Sequence, residues 1–213
     1  MATNGSSAES VERTNGHRID SSVQEIVNQF LCSQLDLKGH HWTPEPLENG
    51  LTNDSHQQTL SASQRIKIVE ALKILGHKYV NLYEQQLSTM CRRLELSPLS
   101  AMTTFNSVSN ELFIEGIKWN HIITFLVFSA EFAYNCVENG FPYLVTEVSQ
   151  WMSTYINQFL SQWIAQHGGW EYVIELADDR PEGGGKRKLV YGAAGALGVL
   201  TLGLFLRNCT FFK

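Results

Sequence analysis

Apolar positions in this chain recur at intervals of three and four residues and nowhere alternate over the length of a strand, which predicts an all-α fold. Val23, Ile26, Val27, Phe30, Leu31 and Leu35 share one helical face. Ser21 or Ser22 can cap that helix, and Gly39 suits the left-handed turn that ends one. Residues 43–61 contain Pro44, Pro46, Gly50, Asn53 and Asp54 and predict a loop longer than most connections. Ser61 or Ser63 opens a second helix, to residue 87, with the stripe Ile66, Val69, Leu72, Leu75 and Tyr79 and with Ile68 on its flank. A short segment at 85–96 stops at Ser97-Pro98, because a proline pushes the residue before it out of the helical region. A fourth helix carries Met102, Phe105, Val108, Leu112 and Phe113 and ends at Gly116.

Residues 119–137 break the amphipathic pattern. Trp119, Ile122, Ile123, Phe125, Leu126, Val127, Phe128, Ala130, Phe132 and Ala133 cover every side, and Glu131 is the one formal charge well inside. A helix apolar all round must be wrapped by others. Asn139-Gly140 stops it. Leu144, Val145, Val148, Trp151, Met152, Tyr155, Ile156 and Phe159 mark the next helix, and Trp170 to Leu176 a short last one beyond Gly168-Gly169. The domain, residues 20–177, thus reads as seven or eight helices, preceded by a polar, aperiodic segment (1–19) expected to be disordered.

Charge divides the chain. Residues 1–181 hold 11 Lys/Arg against 20 Asp/Glu, whereas residues 182–213 hold 5 against 1. An acidic body argues against nucleic acid as the main partner, since phosphate binding needs a cationic face. After a charged, Gly-rich linker at 178–188, residues 189–206 run for eighteen positions without a charge and span about 27 Å as a helix. Leu189, Val190, Leu197, Val199, Leu200, Leu202, Leu204, Phe205 and Leu206 supply its apolar surface, and Lys186-Arg187-Lys188 and Arg207 flank it. The expectation is a single-pass transmembrane tail anchor, inserted after synthesis, with the domain facing the cytosol. Cys32, Cys91, Cys136 and Cys209 lie far apart, as expected of free thiols in a reducing compartment. The seven histidines lack metal-ligand spacing, no nucleophile elbow is present, and Gly183-Gly184-Gly185 lacks the lysine of a phosphate loop. No enzyme, cofactor or metal is expected.

Four segments resemble the homology regions of the Bcl-2 family, in family order. Residues 24–31 with Leu35 and Lys38-Gly39-His40-His41-Trp42 resemble the fourth region as survival-promoting members carry it. Leu72-Lys73-Ile74-Leu75-Gly76-His77-Lys78-Tyr79 resembles the third, Glu111-Leu112-Phe113-Ile114-Glu115-Gly116-Ile117-Lys118-Trp119 the first, and Trp163 to Trp170, running into Tyr172-Val173-Ile174-Glu175-Leu176, the second. The resemblance implies a helical bundle around a central hydrophobic hairpin. It also implies a surface groove that takes the amphipathic death helix of a pro-apoptotic relative, as in the helix-in-groove mode of recognition. By that analogy the groove comprises Leu94, Met102, Phe105, Val108, Leu112, Trp119, Asn120, His121, Ile122, Phe125 and Tyr172. The implied activity is restraint of mitochondrial outer-membrane permeabilisation, and the implied location the outer mitochondrial or endoplasmic-reticulum membrane. The implied partners are Bak/Bax-like helices and homo- or heterodimers.

The chain departs from the family at the groove. Where the first region normally reads Asn-Trp-Gly-Arg, this chain has Lys118, Trp119, Asn120 and His121, and His77 replaces the third region's aspartate. The arginine that ordinarily meets an aspartate of the guest helix is absent. Arg92, Arg93, Lys118 or a His121 that charges when the carboxylate arrives are the available substitutes. The rival function is a Bak/Bax-like pore-forming effector, against which the degraded third region argues.

Overall fold

The computed structural model describes residues 21–45, 60–94 and 96–178. The predicted disordered start, most of the 43–61 loop, nearly all of the linker and the predicted anchor at 189–206 lie outside these residues. Among the described residues the chain forms α1 (Ser21–Leu37), α2 (Ala62–Arg93), α3 (Ala101–Leu112), α4 (Trp119–Glu138), α5 (Leu144–Tyr155), a π-turn (Ile156–Leu160), α6 (Ser161–Gln166) and α7 (Tyr172–Ala177), without a strand. The segments α5, π-turn and α6 follow one another without a break, so seven helices make six rods. None of them is long and apolar enough to cross a membrane.

The all-round apolar stretch is the axis. From His121 to Ala133 every residue of α4 is buried. The helix packs against α1, α2, α3 and α5, and a short turn folds α5 back along it as a hairpin. All six predicted core positions of α1 are buried, and the helix ends as expected at Gly39 (φ 80°), where His40 N–H reaches back to the Leu35 carbonyl at 3.0 Å.

Two helices differ from the sequence expectation. The predicted division into two segments at residues 85–87 is absent: α2 runs 32 residues, from a capping box at Ser61 and Gln64 to Arg93. Between Gly76 and Pro98 no glycine or proline interrupts the backbone, so nothing local forces a stop. Ile66, assigned to the stripe, is 59 % exposed, while Ile68 is fully buried. Steps of three residues each fall about 60° short of a turn, so Ile66 and Leu75 sit about 180° apart on the helix; the true face uses Ile68, Leu72, Leu75 and Tyr79. In the second case Phe159, predicted to face inward, is 58 % exposed, and Leu160 is buried in its place. Steps of four overshoot an α-helical turn by about 40°, and the wider π-turn takes up that drift, keeping Val148, Met152, Ile156, Leu160 and Ile164 on one line.

α1 and α2 run parallel: Glu25 pairs with Arg65 near their starts, and Phe30 and Gln34 face Gly76 further on. Parallel neighbours need a return connection, which accounts for the long link between them. A Cβ on Gly76 would lie 3.2 Å from the Phe30 ring, so a side chain there presses the two helices apart.

The one charge inside the axis is neutralised from outside it. Glu131 accepts from Lys38 Nζ at 2.9 Å, with the carboxylate side chain 5 % exposed and the lysine 24 %. Lys38 Nζ also lies 4.6 Å from the Tyr134 ring centre. Next along, His40 pairs with Glu138 at 3.2 Å, and Trp42 Nε1–H donates to Thr146 Oγ1 at 3.3 Å. Residues 38–42 therefore strap the end of α1 across the hairpin. Deeper between α1 and α5, Gln24, Asn28 and Ser149 form a buried hydrogen-bonded triad.

Cys32, Cys91 and Cys136 are free thiols; Cys209 lies outside the described residues. Burial pushes the Cys91 thiol up, pushes Cys136 up to about 12, and pushes the Tyr155 hydroxyl up to about 12.

Gly76→Val lowers stability by about 1–3 kcal/mol in denaturant unfolding, the usual cost of overpacking. Gly76→Ala stays near neutral, because its gain in helix propensity, about 1 kcal/mol, offsets the crowding. Lys38→Met strands the Glu131 carboxylate and costs about 3 kcal/mol, most of which the double variant Lys38→Met/Glu131→Leu recovers. Because Cys136 and Tyr155 hold their protons more tightly when folded, their contribution to stability is full below about pH 9 and is lost as pH rises through about 12. Circular dichroism across that range checks this.

Candidate ligand groove

The predicted groove residues sit on α2's end, α3, the first half of α4 and α7. Phe105, Val108, Leu112, Ile122 and Phe125 are buried, and the structure brings Phe105 and Phe125 together edge-to-face at 6.0 Å. Phe105 also packs on Phe132 and Trp151. Leu94, Trp119, Asn120 and Tyr172 are half-buried. Met102, on the same helix as Phe105, turns outward and is 53 % exposed. Five of these residues and His121 are thus closed off from solvent, while Leu94, Met102, Trp119, Asn120 and Tyr172 reach the surface.

Trp119 is the first residue of α4. Its ring lies 5.7 Å from Trp163, 6.3 Å from Trp170 and 5.5 Å from Tyr172, and Nε1–H donates to the His167 carbonyl at 3.1 Å. That carbonyl precedes Gly168 and Gly169, whose positive φ angles of 95° and 65° turn the chain from α6 into α7. The Gly-Gly-Trp segment is a corner that delivers Trp170 and Tyr172 to Trp119. The sequence supplies each of these residues, but their convergence is a product of the corner.

His121 and Asn120 occupy the next turn. His121 is 6 % exposed, its ring meets Phe113 edge-on at 6.4 Å, and Nδ1 lies 2.9 Å from the Gly116 carbonyl. A carbonyl has no proton to give, so Nδ1 carries the hydrogen and Nε2 is left as an acceptor in the neutral ring. Asn120 Oδ1 accepts from the His121 backbone N–H at 3.1 Å, while Asn120 Nδ2 is buried without a hydrogen-bond partner. An unpaired donor beside the substituted position is the one polar feature of the groove that residue pattern alone did not single out. Of the other substitutes for the missing arginine, Lys118 caps α4 and is exposed, and Arg92 is exposed on α2; the Arg93 side chain is outside the described set.

A buried apolar helix sheathed by amphipathic helices, with an aromatic cluster at its first turn, defines an all-helical bundle. Residues 72–170 match the family of apoptosis regulator proteins, Bcl-2 family. The chain is 32% identical over 196 residues to Bcl-2-like protein 1 of Homo sapiens, which covers 74% of this chain and 83% of that relative. It is 32% identical over 106 residues to apoptosis regulator Bcl-2 of Gallus gallus, covering 50% of this chain and 46% of that one. Among solved structures, the crystal structure of Trichoplax adhaerens trBcl-2L2 bound to trBak BH3 matches with a TM-score of 0.64 at 28% identity, covering 74% of this chain and 98% of that chain. This chain belongs to the Bcl-2 family of apoptosis regulators.

Trp119→Ala removes a half-buried ring packed on three others, so unfolding free energy falls by about 2–3 kcal/mol, less than for a fully buried indole. Trp119→Phe keeps the packing and loses about 1 kcal/mol.

Proposed function

We propose that this protein is a survival-type guardian: its groove captures the amphipathic death helix of pro-apoptotic relatives and thereby restrains permeabilisation of the outer mitochondrial membrane. The observation that carries the proposal is the similar Trichoplax chain, described as bound to a Bak BH3, combined with half-buried residues that reach the surface beside buried apolar ones. The guest's anchors would bury against Phe105, Leu112 and Phe125 once the α3 side moves off α4, with Leu94, Met102, Trp119 and Tyr172 closing around them. Residues 189–206 would hold the domain on the outer mitochondrial or endoplasmic-reticulum membrane.

In this proposal Asn120 Nδ2 and the His121 ring receive the guest's polar side chain. Because Nδ1 stays bonded to Gly116, protonation adds a donor at Nε2 without breaking the ring's existing contact. A carboxylate guest would take that added Nε2–H as its hydrogen-bond partner.

The second function, a pore-forming effector, draws on the same oily hairpin. Its trigger segment is weaker in this chain, where His77 stands at the acidic position, and the guardian is favoured on that ground.

Added to Bak-loaded liposomes, the purified full-length protein suppresses dye release; release caused by the protein alone would decide for the effector. In calorimetry with the protein in detergent, an Asp-bearing guest peptide gains affinity several-fold from pH 8 to pH 6, and His121→Ala removes that dependence. A flat profile in the parent protein sinks the role given to His121.

A further inference from the structure

Away from the groove, the end of α1 and the middle of α2 enclose an open depression of about 740 Å³ lined by Asp36, Leu37, Lys73, Ile74, His77 and Lys78. None of the groove residues shares it. Two of its walls are aliphatic side chains left in water, Leu37 at 71 % and Ile74 at 48 % exposure. Isolated exposed leucines are ordinary; two aliphatic side chains lining one concavity form an apolar patch that a guest side chain can cover.

The charge around it runs opposite to that of the body. Its lining carries two lysines, Lys73 and Lys78, against one carboxylate, Asp36, while residues 1–181 as a whole carry 11 Lys/Arg against 20 Asp/Glu. Within the depression Asp36 is engaged by the His41 ring at 3.2 Å. Lys73 is paired with Glu70 at 2.7 Å, and Lys78 Nζ donates to the Ala177 carbonyl at 3.5 Å. Both lysines are surface groups with long stems, able to leave these contacts for a better anion at little cost.

We propose that this α1–α2 depression is a second docking site, for a short acidic amphipathic segment of a partner protein. Its length sets the guest. Lys73 and Lys78 are five residues apart, about 7.5 Å along α2, which accommodates two successive aliphatic anchors at i and i+4 but not the four-anchor stripe of a groove-filling helix. The anchors sit between Leu37 and Ile74, and flanking carboxylates meet Lys73 and Lys78. A flat bilayer surface would leave the concavity empty, and a second copy of this chain brings a net acidic surface of its own but must close a symmetric contact to use it.

The test is selection of 12-residue displayed peptides on the full-length protein in phosphatidylcholine nanodiscs, with counter-selection on Ile74→Glu. Ile74 is exposed, and an unchanged unfolding transition shows that the variant is folded. The expected survivors carry two aliphatics at i and i+4 with at least two Asp or Glu, and bind the parent at least tenfold more tightly than Ile74→Glu or Lys73→Glu/Lys78→Glu. Survivors without acidic residues, or no peptide that separates parent from variant, overturn the proposal. So does dependence on Ile74 found instead in binding to phosphatidylserine vesicles, which assigns the face to lipid, or in the sedimentation of the protein alone, which assigns it to a second copy.

Discussion

A helix without a polar side cannot meet water, and α4 is such a helix. From His121 to Ala133 it has no exposed residue, so its neighbours exist to cover it, and their amphipathic faces are the complement of its surface. The exception within it organises the chain as much as the rule. Glu131 would be costly to bury alone; Lys38 reaches it from beyond the end of α1 and, with His40 and Trp42, binds that segment across both arms of the hairpin. α1 is consequently tied to the core by charge as well as by apolar packing. Its parallel course beside α2 then requires the long return through the 43–61 region.

Much of this was legible because burial repeats at the helical period. The α1 face, the wrapped axis at 119–137 and the stop at Gly39 follow from patterns that depend only on local geometry. The failures have a common cause: register drift is invisible to a count of threes and fours. Ile66 and Phe159 lie at acceptable spacings from true core residues, yet accumulated rotation carries the first round the helix, and the π-turn carries the second outward. Continuity of α2 was hidden for a related reason, since a polar stretch with no glycine or proline leaves the backbone free to continue when its ends are held by packing.

What pattern could not supply is pairing between distant residues. Lys38 with Glu131, Trp119 with Tyr172 and Gln24 with Ser149 join positions 93, 53 and 125 apart along the chain. Each residue type is unremarkable in isolation: a lysine after a helix, an indole at a helix start, a glutamine on a helix face. The buried carboxylate was the one visible sign that a cation had to arrive from elsewhere, and the sequence offered several candidates. The groove suffers the same limit. Its membership came from resemblance, and its division into buried and surface-reaching residues is a tertiary property.

The first turn of α4 is where the core-forming helix and the proposed groove coincide, and the chemistry there favours a particular kind of guest. Loss of a partnering cation from a buried charge pair typically costs about 2–5 kcal/mol. Against that loss stand the positive end of the α4 dipole, worth about 0.3–1 kcal/mol near a helix terminus, and the unpaired amide hydrogens of Asn120, worth about 1.5–3 kcal/mol if they meet a carboxylate. Together they offset most of the arginine's contribution. They differ from it in strength, because an amide donor's bond to a neutral carbonyl oxygen is worth about 0.5–1.5 kcal/mol against about 1.5–3 to a carboxylate. A groove equipped this way would still prefer aspartate to asparagine at the guest's polar position, by about 1–1.5 kcal/mol before a charged His121 ring adds to it. The apolar anchors on the Phe105–Phe125 floor would then carry a larger share of partner choice than they do beside an arginine.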